Sequence, residues 1–503
     1  MEIDKNKLQQ NILDFFDKNS NFILITVLVF ALILRLKYLT INQAVWYDEA
    51  EYLGVAKNWA FNLTSYQLHY VRPPFLSLLM AAMYKIGFGE LGIRIMMLIF
   101  SMIGILFTYL LGKEIFNKWV GIISGFLMSI LYVNLFYTAR ILTDLISTTF
   151  WLISMWLFWK GMIKKESKWY LWLLGPSLVI GVLTKFPFGL IVFVFLLYLI
   201  VTEGVKFLKD KNLWIGISAA ILCFTPYALW YYLTYSKIPI LGPAGFYNTL
   251  SQIGSYIGFI PIVFQSPIPG LINISPYFGH FLLLLLIIGV LTALFNIIVG
   301  YNLLRNDKGL KKDVLILLWI IIPFIFFAFF AGQIAEDRYL TYIYPATFLI
   351  ISLVLVRIYN LVKKFNTIFA LCIILLILIL SSFAQISYAD KIIKIKSTSY
   401  IQFKQAGNWI KENSDRNDRV ISTGEPQLNY YAERGIIYWP EDYEIDEFLD
   451  KNKDVKYLVL SVLEQSPQWS YQWPNQNPDK VAPVQVYTDS QQRPILIIYE
   501  VKR

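Results

Sequence analysis

The chain has 503 residues, of which 57% are hydrophobic and 16% charged, with a formal net charge of +10. That balance excludes an ordinary soluble protein of this length. The positive charge needs no nucleic acid to explain it, because much of the Lys and Arg excess falls in short links between apolar runs, next to anionic lipid.

Apolar runs long enough to cross about 30 Å of hydrocarbon as helices lie at 21–39, 91–112, 119–138, 141–159, 169–184, 186–202, 213–234, 277–300, 313–331, 338–356 and 367–387. About eleven spans put the two chain ends on opposite sides of the membrane. One set of alternate links carries Lys113 and Lys118, then Lys160, Lys164, Lys165 and Lys168, then Lys206, Lys209 and Lys211, then Arg305, Lys308, Lys311 and Lys312, then Arg357, Lys363 and Lys364. Cytoplasmic loops retain Lys and Arg, so these links, and with them the N-terminal segment 1–20, are expected inside. The stretch after span one, the link 236–275 and the turn around Glu336 to Arg338 are expected outside. Span one shows no small-residue cleavage site and reads as an uncleaved anchor. A multi-pass protein of the cell (plasma) membrane follows. Cys223 and Cys372 both fall within spans, where a thiol behaves as a small hydrophobe.

After span one, residues 46–60 show a helical pattern with Ala50, Leu53, Ala56 and Trp59 on one stripe and Asp48, Glu51, Tyr52 and Asn58 away from it. That pattern suits a helix lying along the outer interface. Pro73-Pro74 would start a second short helix, which Gly87 to Gly89 ends, so interfacial helices occupy the first external loop, 45–90. This loop and its end concentrate Asp48, Glu49, Glu51, His69, Arg72, Lys85, Glu90 and Arg94. Further external links add Arg140 and Asp144 in TARILTD, Lys185 in LTKFPFG, and Glu336, Asp337 and Arg338 in EDRYLTYIYP. A lone Lys in an apolar sequence is costly in hydrocarbon and commonly has a partner or a function.

From about Ser397 the composition changes. Helix 398–413, strand 418–423, helix 427–433, strand 435–439, helix 443–451, strand 455–462 and strands 483–488 and 494–501 read as a small α/β domain. The expected division is therefore a cytoplasmic segment 1–20, a transmembrane domain 21–396 and an extracytoplasmic α/β domain 397–503. No GxGxxG, P-loop, zinc-type Cys/His spacing or Ser-His-Asp signature occurs.

An external acid beside scattered Arg and Lys is the set needed to move a group from a lipid phosphate to a hydroxyl. The carboxylate would take the acceptor's proton, and cations would stabilise the departing phosphate. The segments WYDEAEYLGVAKNW, YVRPPFLSLLMAAMYKIGFGELGIR, TARILTD, LTKFPFG and EDRYLTYIYP, in this order over roughly 20–357, resemble the successive motifs of the GT-C glycosyltransferases that use polyprenyl-phosphate sugars. Protein O-mannosyltransferases and the aminoarabinose transferases of lipid A are the most similar families.

The resemblance implies a polytopic GT-C fold with Asp48 as catalytic base and Glu49 shaping the site. It implies Arg72 on the donor phosphate, Lys185, Arg338 and Tyr339 along the phosphate and lipid path, and Asp144, Arg140, Glu51 and His69 in support. Arg72 stands where aminoarabinose transferases have Lys before Pro-Pro, and Glu51 stands where relatives often have Arg or His. The donor implied is a polyprenyl-phosphate-linked sugar and the acceptor a protein, lipid or glycan hydroxyl. No cofactor is obligatory and a divalent metal is optional.

Plainer readings stand beside these. Asp48 with Glu51 has the spacing of a capping box, Arg72, Lys85 and Arg94 could anchor at the interface, and Asp144 with Lys185 could be a structural ion pair. The functional alternative is a transporter or flippase that moves a lipid-linked sugar without reacting it. An oligosaccharyltransferase subunit is disfavoured because the Trp-Trp-Asp-Tyr-Gly motif is missing.

Overall fold

The computed structural model describes residues 18–62, 68, 72–236, 249–265, 281–330 and 335–502. His69, nearly all of the segment 1–20 and much of the 236–275 link lie outside them. Among the described residues eight helices are long and apolar enough to cross a membrane, and nine if the bent pair Lys118–Ile130 and Tyr132–Thr138 counts as one span. The two other expected spans are helices Thr143–Phe158 and Trp169–Thr184, each of 16 residues. The first continues through a π-turn, Trp159–Ile163, and the second is apolar but short. The eleven-span reading therefore holds only if these shorter helices are counted.

The span expected at 338–356 starts later, at Tyr344, because Asp337–Tyr342 forms a 3-10 turn ahead of it. The last span overruns its expected end. Helix Thr367–Lys396 has 30 residues, about 45 Å of helix, and its final turns carry Asp390, which pairs with Lys37 at 2.7 Å and Lys394 at 2.6 Å.

Residues facing out from the spans, such as Leu222, Phe295 and Ile379, are exposed and apolar, as a lipid-facing surface requires. Inside, helix Glu90–Ile115 packs against Lys118–Ile130 at a small-residue contact. A Cβ on Gly112 would come within 2.7 Å of the Gly121 Cα, so only glycine permits that approach.

The bend at Leu131, 57° between the two helices, lacks the usual proline. Its cost is met by side chains from distant spans: the Tyr132 N–H donates to Gln385 at 3.0 Å and Arg35 donates to the Ser129 carbonyl at 3.0 Å. Freed backbone groups inside a bilayer need such partners. The bend sets the course of the segment that carries Arg140 and Asp144.

The C-terminal part is a five-stranded sheet of order β2-β1-β3-β5-β4, with β1 Arg419–Ile421, β2 Gly435–Ile437, β3 Val455–Ser461, β4 Val481–Thr488 and β5 Pro494–Val501. The first three strands are parallel and the last two run antiparallel to their neighbours. Helices Ile401–Asn413 and Glu425–Ala432 cover one face through Phe403, Ala406, Ile410 and Leu428, all fully buried.

Candidate functional site

Helix Tyr47–Phe61 begins one residue before Asp48, with Trp46 extended ahead of it. The capping reading of Asp48 and Glu51 therefore fails by register. Glu49 does that work instead, its carboxylate accepting from the Trp46 N–H at 2.8 Å. Asp48 is left to face outward from the first turn, where the helix dipole favours an anion.

Both oxygens of Asp48 are held by arginines. Oδ1 accepts from Arg72 Nη2 at 3.2 Å and Oδ2 from Arg338 Nη2 at 3.0 Å. Each arginine is shared: Arg72 also pairs with Glu51, and Arg338 also pairs with Glu336, Nε to Oε2 at 2.7 Å. Burial pushes the Asp48 carboxyl up, but Arg338 and Arg72 outweigh it and hold it below the usual carboxylate range. Glu51, three residues on, is pushed up by burial and by Asp48, more than Arg72 can offset. Neighbouring acids are thus driven apart, an arrangement typical of sites that handle protons.

The second half of the cluster comes from two links. Asp144 sits buried in the first turn of helix Thr143–Phe158 and forms an ion pair with Lys185, which lies in the link after helix Trp169–Thr184. The Lys185 ammonium stands 4.7 Å over the Tyr339 ring and the Arg338 guanidinium 5.3 Å from it, so one aromatic ring attracts two cations. Asp144, Asp48 and Glu336 all act electrostatically on Arg338.

Asp337 does something different from its neighbours. Its carboxylate accepts from the Tyr132 and Tyr137 hydroxyls at 3.0 and 2.9 Å, and its carbonyl accepts from Tyr344 at 2.9 Å. These bonds pin the 3-10 turn and so aim Arg338 at Asp48.

Glu49 and Arg140, expected at the site, are braces behind it. Glu49 is fully buried, and its oxygens take the Ile141 N–H at 2.7 Å, the Trp46 N–H and Arg140 Nη1 at 3.4 Å. Arg140 stacks on Trp46 at 3.9 Å and donates to the Lys396 carbonyl at 2.9 Å. Arg94 is occupied with Glu90 and the Ala139 carbonyl. Glu49, expected beside Asp48 to shape the site, has both carboxylate oxygens engaged by these protein donors.

The sequence reading assigned no part to the C-terminal sheet region, which covers the cluster. Tyr438 meets Tyr47 hydroxyl to hydroxyl at 3.2 Å, the Tyr431 hydroxyl accepts from the Val45 N–H at 2.9 Å, and Lys57 donates to the Tyr430 carbonyl at 3.1 Å and to Glu433 at 3.0 Å. Glu464, raised by burial, lies within electrostatic reach of Asp48. Only the surplus of tyrosines and acids at 425–438 could have signalled this.

The donor set does not fit a metal well. Among the described residues no three of His, Cys, Asp and Glu stand close enough to share an ion, and Asp48, Glu51, Glu336 and Asp144 are each engaged by a cation.

A family pattern described as dolichyl-phosphate-mannose-protein mannosyltransferase matches residues 71–230. No curated protein matches the sequence significantly. Among solved structures, ArnT from Cupriavidus metallidurans superposes with a TM-score of 0.66 at 12% identity, over 94% of this chain and 97% of its own. The same protein bound to undecaprenyl phosphate gives 0.63, at the same identity and coverage. The Archaeoglobus fulgidus oligosaccharyltransferase AglB, in complex with an inhibitory peptide and a dolichol-phosphate, gives 0.60 at 16% identity, over 88% of this chain and 70% of its own. The oligosaccharyltransferase that was disfavoured for lack of one motif thus shares the architecture. The chain has the GT-C fold, as its motif order implied, and over residues 71–230 it carries the sequence pattern of the protein mannosyltransferases.

Proposed function

We propose that the Asp48 cluster transfers a sugar, with inversion, from a polyprenyl- or dolichyl-phosphate donor to a hydroxyl of a protein, lipid or glycan. The supporting observation is that two arginines, 24 and 290 residues from Asp48 in sequence, each hold one of its oxygens while being shared with a second acid.

Shared partners can be exchanged. A donor phosphate would draw Arg72 and Arg338 toward itself, and the Asp48 carboxylate, losing its cations, would become a stronger base. It would then take the proton of the acceptor hydroxyl as the hydroxyl oxygen bonds to the anomeric carbon. The bond from that carbon to the phosphate oxygen breaks on the opposite face, and the phosphate leaves with its electron pair, stabilised by the arginines. Phosphate leaves readily without protonation, so no general acid is required. Lys185, held by Asp144 and Tyr339, would add charge on the lipid side.

In this reading the cluster faces the outside of the plasma membrane and the N-terminus the cytoplasm. The Lys-rich links lie at the other ends of the same helices, which supports that orientation. A cluster built from helix ends and links also favours transfer over translocation, for which ionisable groups near the bilayer midplane are expected.

The test is to incubate the purified full chain with a panel of polyprenyl-phosphate sugars and an acceptor extract, and to measure release of polyprenyl phosphate. Release from at least one donor is expected. Release from none, with movement of the lipid between leaflets, would replace this reading with a flippase.

A further inference from the structure

At the ends of the helices remote from Asp48, a cavity of about 560 Å³ opens between five elements. They are the end of helix Glu90–Ile115, the π-turn Trp159–Ile163, the end of helix Leu190–Glu203, the 3-10 turn Gly204–Lys209 and the start of helix Lys308–Ile325. Helix Thr143–Phe158 joins the two regions, with Asp144 in its first turn and the cavity beyond its last. Its 16 residues rise about 24 Å, close to the thickness of a hydrocarbon core.

Six lysines line this cavity. Three are neutralised within the protein: Lys164 by Glu114 at 2.5 Å, Lys165 by Asp210 at 2.6 Å and Lys311 by Glu203 at 2.7 Å. Lys206, Lys308 and Lys312 have no carboxylate within ion-pair distance among the described residues. Two of them occupy poor positions. Lys308 and Lys312 stand four apart at the N-terminal end of a helix, where like charges repel and the dipole disfavours cations. Lys164 is a further positive neighbour of Lys312, which the adjacent Asp313 offsets only in part.

The three carboxylates at the cavity, Glu114, Glu203 and Asp210, are each taken by a lysine. Three cations are therefore left over around an open space of this size, and they call for a ligand rich in anionic oxygen.

We propose that this cavity binds the phosphate headgroup of an anionic lipid from the leaflet opposite the Asp48 cluster. A lipid fits better than free phosphate because the rim turn that carries Lys206 also exposes Val205 and Leu208, which would rest among acyl chains. Basic pockets between membrane helices hold such headgroups elsewhere.

The test is native mass spectrometry of the detergent-purified full chain, titrated separately with phosphatidylglycerol, phosphatidylcholine and inorganic phosphate. One phosphatidylglycerol should be retained about tenfold more tightly than phosphatidylcholine, and excess inorganic phosphate should not displace it. The triple variant Lys206→Gln, Lys308→Gln, Lys312→Gln should lose that preference. Lys363→Gln with Lys364→Gln, outside the cavity, should keep it. Lys206→Gln alone, at the exposed rim, should weaken retention several-fold even if the triple variant misfolds. Equal retention of the two lipids, or unchanged retention in Lys206→Gln and the triple variant, would overturn the proposal. Occupancy by inorganic phosphate with no lipid retained would overturn the lipid assignment.

Discussion

Two of the arginine networks in this protein, one fully buried and one partly exposed, are built on opposite principles. Arg35, in the first span, donates to the Ser101 hydroxyl at 2.7 Å, to the Ala31 and Ser129 carbonyls at 3.0 Å and to the Asn134 side chain at 3.1 Å. None of those partners is a carboxylate and none has a competing cation. Arg338 and Arg72 instead divide themselves among Asp48, Glu51 and Glu336. A guanidinium satisfied by neutral groups holds helices together and has nothing to exchange. One balanced between two carboxylates can pass to a third anion at modest cost, and the difference separates a brace from a site.

Breaking the two networks should therefore give different losses. Arg338→Gln and Arg72→Gln should each lower turnover by about 10²- to 10³-fold with little change in thermal stability, read by polyprenyl phosphate release beside a melting curve. Arg35→Leu should do the reverse, costing on the order of 2–4 kcal/mol of stability by stranding buried acceptors while each folded molecule still turns over. Glu49→Gln tests whether Glu49 braces the site or takes part in the reaction. It should lower stability by about 1–2 kcal/mol and leave per-molecule turnover within a few-fold, whereas a loss as large as that of Arg338→Gln would place Glu49 in the catalytic set.

The smallest effect concerns pH. Because Asp48 is held below the usual carboxylate range in the free enzyme, its ionised form persists there to lower pH, and the rate at low donor concentration should stay level from neutrality down to about pH 5. Removing Arg338 takes away one lowering influence, so the acid limb of the pH–rate profile should move upward in Arg338→Gln. An unmoved limb would mean that another group sets it.

Much of this was legible from the chain alone. The charged motifs between apolar runs brought these acids and bases into view, because a membrane leaves few places for charge, and the resemblance to the GT-C motifs singled out Asp48, Arg72, Asp144, Lys185 and Arg338 among them. The alternation of helix and strand after Ser397 located all five strands to within a few residues. What could not be read was partnership. Glu49 and Asp48 are adjacent and chemically alike, and only the start of the helix at Tyr47 decides which faces the arginines and which the Ile141 amide. The break at Leu131 has no Gly or Pro to mark it, since its backbone groups are satisfied by Arg35 and Gln385 from remote spans. Arg35 itself, a charge inside an apolar run, was a signal available and passed over.

The central claim is that Asp48 competes with the donor phosphate for the same arginines and then serves as base. Donor affinity and single-turnover release of polyprenyl phosphate in Asp48→Asn measure both parts at once. Release should fall by about 10²- to 10⁴-fold, while the donor binds at least as tightly as in the wild type, since Arg72 and Arg338 no longer have that carboxylate to hold. Release at the wild-type rate, or donor binding lost along with it, would contradict the account.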